Sequence, residues 1–117
     1  MTIYDTSIVI DIAKKGETID GSITSITLIE YPKIIFYRKF RGNVEFPIKE
    51  DYIVAHRLQL KLMEKGNPQQ ATDLLIAAIA IRLKEELVTR DKDFEVIAKA
   101  AKELGYNFRL KLVTTLD

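Results

Sequence analysis

The sequence predicts an α/β fold in which a parallel sheet of four to five strands is covered by helices on its faces. Short apolar segments with strand character alternate with longer segments of helical apolar spacing, and this alternation is typical of parallel sheets joined by crossover helices. The 117 residues contain no repeat, low-complexity stretch or linker. We therefore expect a single compact domain that spans residues 1–117.

Four segments of the sequence have the composition of strands, and the last of them alternates apolar and polar residues like an edge strand. A further segment, "VEFPI" at 44–48, contains Pro47. This proline argues against a central strand because it cannot donate a ladder hydrogen bond. The predicted strands are Thr2 to Asp5, Ser22 to Ser25, Glu86 to Thr89 and Phe108 to Val113.

Five segments have the apolar spacing of helices, and helix-ending signals follow most of them. Gly16, Gly66 and Gly105 stand where three helices should end, and "RGN" at 41–43 is a turn signal after another. Pro32 must lie in the first turn of its helix or kink it. The predicted helices are Ser7 to Lys15, an apolar helix from the second strand to about Phe40, Lys49 to Lys65, Thr72 to about Lys84, and Phe94 to Leu104.

The composition is that of a soluble globular protein, with 47% hydrophobic and 30% charged residues. The longest purely apolar run, Leu74 to Ile81, is far below the ~18 residues of a membrane span. No basic, apolar, small-residue progression opens the chain, so we expect a cytoplasmic protein. The net charge of +1 does not by itself indicate a nucleic-acid binder, although an average can hide local patches.

The residue types that are absent restrict the kind of metal site that the chain can build. There is no cysteine, which excludes disulfides, thiolate nucleophiles and sulfur-ligated zinc or iron–sulfur sites. The single histidine, His56, excludes a histidine-rich site. Any metal site must therefore use oxygen ligands, which favours Mg or Mn over Zn or Cu.

Two aspartates follow predicted strands, at the edge where open parallel sheets form their sites. Asp5 follows the first strand and precedes a helix, so a helix N-cap and a site residue are both good interpretations. Asp91 and Asp93 follow the strand of "LVTRDKD". Capping accounts for Asp93, because it directly precedes Phe94 at the start of a helix. Asp91 lies between the strand end and the cap, and we therefore assign it to a carboxylate pocket.

Two further acids stand in apolar surroundings. Asp73 opens the helix "LLIAAIAI", which is apolar on every side and so should be buried; either the helix dipole or a ligand role explains it. Glu30 has helical spacing to Ile26 and Ile34, and an unpaired carboxylate on such a ridge is costly to bury. A core salt bridge with Lys33 is the alternative to a ligand role.

Four carboxylates brought together repel one another unless a cation neutralises them. A divalent metal would do this, and such sites act on phosphodiesters by lowering the pKa of a bound water and holding the attacking and leaving oxygens. Thr6, Ser7 and Thr89 are placed to orient the acids by hydrogen bonds, and helix capping is the alternative interpretation of these hydroxyls.

Four motifs resemble, in order and spacing, those of PIN-domain proteins, and specifically of VapC-type ribonuclease toxins. The resemblance covers essentially the whole chain. The motifs are "IYDTSIVID" at 3–11, "TSITLIEYP" at 24–32, "ATDLLIAAIAI" at 71–81 and "LVTRDKDFEVI" at 87–97.

The resemblance implies a three-layer α/β/α sandwich around the parallel sheet, and a Mg- or Mn-dependent endoribonuclease activity. It also implies a homodimer and an antitoxin protein that binds the toxin and blocks its site. Carried over by position, Asp5, Glu30, Asp73 and Asp91 would be the catalytic acids and metal ligands. Asp93 matches a further acid present in many members, and would be an additional ligand.

Two alternative functions fit parts of the sequence. A receiver-like signalling domain has a similar length and an acidic pocket at strand ends, but it carries adjacent acids after its first strand and a lysine after its last. Here Asp5 is single and Lys111 lies within the last strand. The other alternative is a PIN-like fold that keeps its acids for metal binding or protein contact and does not cleave RNA.

The segment "PKIIFYRKFRG" at 32–42 has four basic residues, no acid, and aromatic residues between them. This composition favours an RNA-backbone track with aromatic faces. A solvated helix face over a hydrophobic stripe is an equally good interpretation, and the apolar residues suit a dimer or antitoxin interface. The basic residues are Lys33, Arg38, Lys39 and Arg41.

Overall fold

A computed structural model describes residues 1–113, so residues 114–117 of the predicted domain lie outside the described part of the chain. Strands and helices alternate within residues 1–113. The strands are β1 (Thr2–Tyr4), β2 (Ile23–Thr24), β3 (Val44–Glu45), β4 (Glu86–Thr89) and β5 (Leu110–Leu112). The helices are α1 (Thr6–Lys14), α2 (Ser25–Glu30), a 3-10 helix (Pro32–Phe36), α3 (Lys49–Glu64), α4 (Ala71–Leu83) and α5 (Asp93–Glu103).

All strand pairs are parallel. β1 pairs with β4 and β4 with β5, while β2 pairs with β3. A bridge between Ile3 and Ser22 joins the two ladders, because Tyr4 N–H donates to the Ser22 carbonyl at 2.9 Å and Ser22 N–H to the Thr2 carbonyl at 2.8 Å. The strand order is therefore β3-β2-β1-β4-β5, which confirms the predicted parallel sheet.

Helices cover both faces of the sheet, so the fold has the three α/β/α layers that the sequence resemblance implies. Alternate residues of a strand point to opposite faces. Ile3 and its partner Leu87 pack in one core cluster with residues of α3, α4 and α5. Tyr4 and Ile23 face the other cluster, with residues of α1 and the 3-10 helix.

The predicted helix from the second strand to Phe40 is wrong. α2 ends at Glu30, Tyr31 leaves the helical region with φ −138° and ψ 71°, and Pro32 starts a separate 3-10 helix. Proline disfavours a helical residue before it and cannot donate an interior hydrogen bond, which explains the break. Phe40 then forms an isolated parallel bridge with Ile19.

α4 is the buried central helix that its apolar sequence predicts, with six buried residues between Leu74 and Ala80. The helix begins at Ala71, one residue before the predicted start at Thr72, and Gln70 is its N-cap. A buried ion pair ties α4 to α3: the Arg82 guanidinium contacts Asp51 Oδ1 at 2.9 Å. Asp51 Oδ2 also accepts from Ile48 N–H at 2.8 Å, and so caps the start of α3.

Within the described residues, no helix combines the length and the apolar character needed to cross a membrane.

Candidate functional site

The predicted acids gather at the carboxyl edge of the central strands. Asp5 directly follows β1, and Asp91 lies two residues beyond β4. Because β1 and β4 are adjacent and Tyr4 is in register with Val88, the two acids leave the sheet side by side. Asp73 lies in the first turn of α4.

Three of these carboxylates form a compact cluster. Asp73, Asp91 and Asp93 each offer an oxygen, and the three oxygens lie within 4.8 Å of one another. Asp73 is half-buried, whereas Asp91 and Asp93 are exposed. An all-oxygen donor set at this spacing fits a hard divalent cation such as Mg or Mn, which is the kind of metal that the composition allows.

Asp5 is both a helix cap and a neighbour of this cluster. Its Oδ1 accepts from Thr6 N–H at 2.9 Å, and its Oδ2 accepts from the Thr89 hydroxyl at 2.7 Å. The same hydroxyl accepts from Asp91 N–H at 3.1 Å. One buried threonine therefore holds the Asp5 carboxylate and the backbone of Asp91 at a fixed separation.

Glu30 reaches the site in a way that differs from the prediction. It is exposed at the end of α2, and Ile34 lies on the separate 3-10 helix, so the buried apolar ridge does not exist. Its Oε1 accepts from the Thr6 hydroxyl at 2.6 Å. Thr6, the residue next to Asp5, thus orients Glu30 toward the other acids. The alternative interpretation of Glu30, a salt bridge with Lys33, is not the contact that the structure shows.

The prediction that Asp93 caps the last helix was wrong, although Asp91 and Asp93 both belong to the carboxylate cluster. Asp93 is the first helical residue of α5, and Lys92 is the N-cap. Asp91 Oδ1 accepts from Asp93 N–H at 2.9 Å, so Asp91 is the acid that stabilises this turn. The Asp93 carboxylate is left free to join the cluster, as its position in the family motif implies.

The negative charges of the other four acids act on Asp73. Burial raises the pKa of Asp73 to about 6, with further contributions from Asp91, Asp5, Asp93 and Glu30.

Burial also raises the pKa of Asp5, and the hydrogen bonds from Thr89 and Thr6 oppose part of that effect. The negative charges of Glu30 and Asp91 raise the Asp5 pKa further. A cation bound among these acids would relieve the repulsion between them.

Thr27 is a neighbour of the site that sequence reasoning missed. Its hydroxyl lies 2.8 Å from the Thr6 hydroxyl and is buried. The available signal was its position three residues before Glu30, which puts the two on the same side of a helix.

The basic segment contributes little directly to the acidic cluster. Lys39 Nζ donates to the Gly16 carbonyl and Tyr37 Oη to the Glu17 carbonyl, both at 2.6 Å, so these side chains brace the loop after α1. Lys33, Arg38 and Arg41 are exposed. Arg90, between Thr89 and Asp91, forms an ion pair with Asp11 of α1.

The sequence matches the family model described as PIN domain over residues 23–100, which is about two thirds of the chain. The matched range includes Glu30, Asp73, Asp91 and Asp93, and Asp5 precedes it. No curated protein matches the chain at a significant level.

Solved structures with a similar fold include three VapBC structures from different bacteria. The chain is 21% identical to a chain of VapBC-1 from nontypeable Haemophilus influenzae, with a TM-score of 0.71 over 97% of this chain and 98% of that one. VapBC from Salmonella typhimurium, bound to DNA, gives 20% identity and a TM-score of 0.71 over 94% and 96%. VapBC2 from Rickettsia felis, bound to a promoter DNA fragment, is 21% identical, with a TM-score of 0.65 over 96% of this chain and 98% of that one. These likenesses establish the fold.

Proposed function

Because this chain belongs to the PIN domain family, we propose that it is a Mg- or Mn-dependent endoribonuclease and the toxin of a VapBC-type pair, acting as a single domain over residues 1–117. The observation that carries the proposal is the convergence of five acids at the carboxyl edge of β1 and β4. Three of their oxygens lie within 4.8 Å of one another, and the buried Thr89 ties Asp5 to the loop that bears two of those oxygens.

Asp73, Asp91 and Asp93 would hold the metal, with Asp5 and Glu30 completing the donor set. When bound, the ion neutralises charge and makes a water molecule more acidic. Mg prefers one or two carboxylates together with waters and substrate phosphate oxygens, and the exposure of Asp91 and Asp93 leaves room for such ligands.

The catalytic acids Asp5, Glu30, Asp73 and Asp91 would orient that water for an in-line attack on an RNA phosphodiester. The water oxygen would form a bond to phosphorus while the bond from phosphorus to the leaving ribose oxygen breaks. A carboxylate oxygen would accept the water proton, and the leaving ribose oxygen would take a proton from solvent. Hydrogen bonds from Thr6 and Thr89 hold Asp5, and Thr6 also holds Glu30. These acids therefore need little reorganisation during the reaction.

Exposed apolar surfaces support the proposed protein partners. Ile29, Ile35 and Phe36 form a surface beside Glu30, and Phe36 is 80% exposed. An antitoxin that covered this surface would also reach the site. We assign a second apolar surface, on α3, to a homodimer. Its exposed residues are Tyr52, Ile53, Leu60 and Met63. Since an RNA substrate and an antitoxin partner would both be available in the cytoplasm, we expect the protein to act there.

The receiver-like alternative does not fit the sheet. Receiver domains have the strand order 2-1-3-4-5, whereas the order here is β3-β2-β1-β4-β5. The alternative of a PIN-like module that binds but does not cleave is tested directly by the experiment below.

The test is cleavage of structured RNA by the purified, partner-free protein in Mg, in Mn and in EDTA. We expect cleavage to require metal and to fall at least about a hundredfold in Asp5→Asn and Asp91→Asn, which remove charged ligands but keep the size of the side chain. Glu64→Gln, an exposed acid near the end of α3, is the matched control and should cleave like the wild type.

Each contrary result has a distinct meaning. Metal binding without cleavage would support the non-cleaving PIN-like module. Equal cleavage by the wild type and both aspartate variants would show that the activity does not come from this site.

A further inference from the structure

Among the acids of the site, Glu30 is held least firmly by the secondary structure around it. It is exposed, it ends a helix of six residues, and the chain leaves the helical region at Tyr31. An exposed glutamate on such an end keeps most of its rotamer freedom, which it must lose when it engages a ligand.

The contacts of the Thr6 hydroxyl determine which way its proton points. Its oxygen lies 2.6 Å from Glu30 Oε1 and 2.8 Å from the Thr27 hydroxyl. A carboxylate only accepts hydrogen bonds, and a hydroxyl has one proton to donate. Thr6 therefore donates to Glu30, and Thr27 must donate to Thr6.

Thr27 is the rigid end of this chain of hydrogen bonds. It is 1% exposed, and it lies on α2 next to the core residue Ile26. Its backbone carbonyl also accepts from Tyr31 N–H at 2.7 Å, which closes the last turn of α2 just beyond Glu30.

We propose that Thr27 is a positioning residue of the acidic site, which acts through the Thr6 hydroxyl to fix the orientation of the Glu30 carboxylate. The inference rests on the proposed function, in which Glu30 helps to hold a divalent cation. It extends that function to a buried side chain that does not itself touch the cation.

The test compares Thr27→Val, which removes the hydroxyl at almost constant shape, with Thr27→Ser, which keeps it. The control is Thr24→Val, because Thr24 is also buried and its hydroxyl has no hydrogen-bond partner in the described part of the chain. Circular dichroism establishes that each variant is folded before any other measurement.

The first readout is the side-chain rotamer of Glu30, measured from NMR couplings in metal-free protein. We expect one dominant rotamer in the wild type, Thr27→Ser and Thr24→Val, and averaging among rotamers in Thr27→Val. An unchanged Glu30 in Thr27→Val would overturn the proposal. Since this readout uses no metal, it decides the role of Thr27 even if the protein proves to bind none.

The second readout is the affinity for Mn²⁺, measured by calorimetry. Loss of groups that orient metal ligands typically weakens binding 10- to 100-fold, and Thr27 acts through one more residue, so we expect a loss of roughly three- to tenfold in Thr27→Val. In the Glu30→Gln background the same substitution should add no further loss. An equal loss in that background would show that the effect does not pass through Glu30. If the wild type binds no Mn²⁺, the proposed function fails instead.

Discussion

Asp73 is the acid whose negative charge is least favourable in the folded, metal-free protein. It is half-buried at the mouth of α4, and burial together with the neighbouring acids raises its pKa to about 6. In the unfolded chain an aspartate has a pKa near ~3.9. The folded state therefore binds more protons than the unfolded state between these two values, and stability must fall as the pH rises through that window.

The first prediction follows from this difference. In EDTA, we expect the wild-type free energy of unfolding to decrease by about 1 to 2 kcal/mol between pH 4 and pH 7, after allowance for solvent screening of a half-buried group. Asp73→Asn should lose much of this pH dependence and be the more stable protein at pH 7. Urea denaturation at a series of pH values measures both. A steeper loss in the variant than in the wild type would contradict the assignment.

The loop after β4 shows why the capping role was assigned to the wrong acid. Position next to a helix start favours Asp93 as the cap, yet the turn brings Asp91 Oδ1 to the N–H of Asp93. Which carboxylate bends back depends on the backbone of the loop, and sequence spacing does not contain that information. The catalytic roles of Asp5, Glu30, Asp73 and Asp91 stay predictions until the variants are measured.

At the scale of elements, the packing of α3 against α4 depends on the buried carboxylate of Asp51. Asp51 is 1% exposed and receives hydrogen bonds from the Arg82 guanidinium and from Ile48 N–H. The hydrogen bond to Asp51 raises the pKa of Arg82. Removing only one partner of such a pair leaves the other charge buried without compensation.

The second prediction is that Arg82→Met destabilises the protein by about 2 to 4 kcal/mol, because it strands the buried Asp51 carboxylate. The double variant Asp51→Leu/Arg82→Met should be less destabilised than Arg82→Met alone. Lys61→Met, which breaks the more exposed Lys61–Glu64 pair, is the control and should change stability by less than about 1 kcal/mol. Chemical denaturation gives all three values, and equal costs for the two single variants would contradict the prediction.

Elements were predicted well where their signals are local. The four predicted strands, the glycines after α1, α3 and α5, and the apolar α4 all follow from short-range patterns, and the structure has them within one to two residues. The two-residue β3 was not among the predicted strands. The helix after β2 failed because the apolar spacing continues past Pro32, whereas the backbone cannot continue as an α-helix there. The prediction therefore placed Glu30 near the site, but it relied on a continuous helix that the structure does not have.

At the scale of the whole molecule, α3 presents an apolar surface to solvent. Tyr52, Ile53, Leu60 and Met63 are exposed, and Met63 is 60% exposed. Beside them, a cavity of about 270 Å³ opens between α3 and α4, with Tyr52, Ala55 and Leu74 in its lining. Contiguous apolar surfaces of this kind are typical of protein interfaces.

The third prediction is that the wild type is a dimer in solution and that Leu60→Lys or Met63→Lys shifts it toward monomer, because a charge is buried unpaired at the interface. Ile35→Lys, on the surface beside Glu30, is the matched control and should stay dimeric. Size-exclusion chromatography with light scattering measures the mass. A monomeric wild type would show that there is no dimer. Dissociation caused by Ile35→Lys instead would place the dimer interface on the surface beside Glu30.

The hydrogen bond from Thr89 to Asp5 joins residues that are 84 positions apart in the chain, and it has a consequence for synthesis. A growing chain that has reached only Leu87 already contains Asp5, Glu30 and Asp73, but it lacks Thr89, Asp91 and Asp93. Contacts between such distant positions form late, after the loops between them have closed. The acidic pocket is therefore assembled only when most of the polypeptide exists, and incomplete chains lack the proposed site.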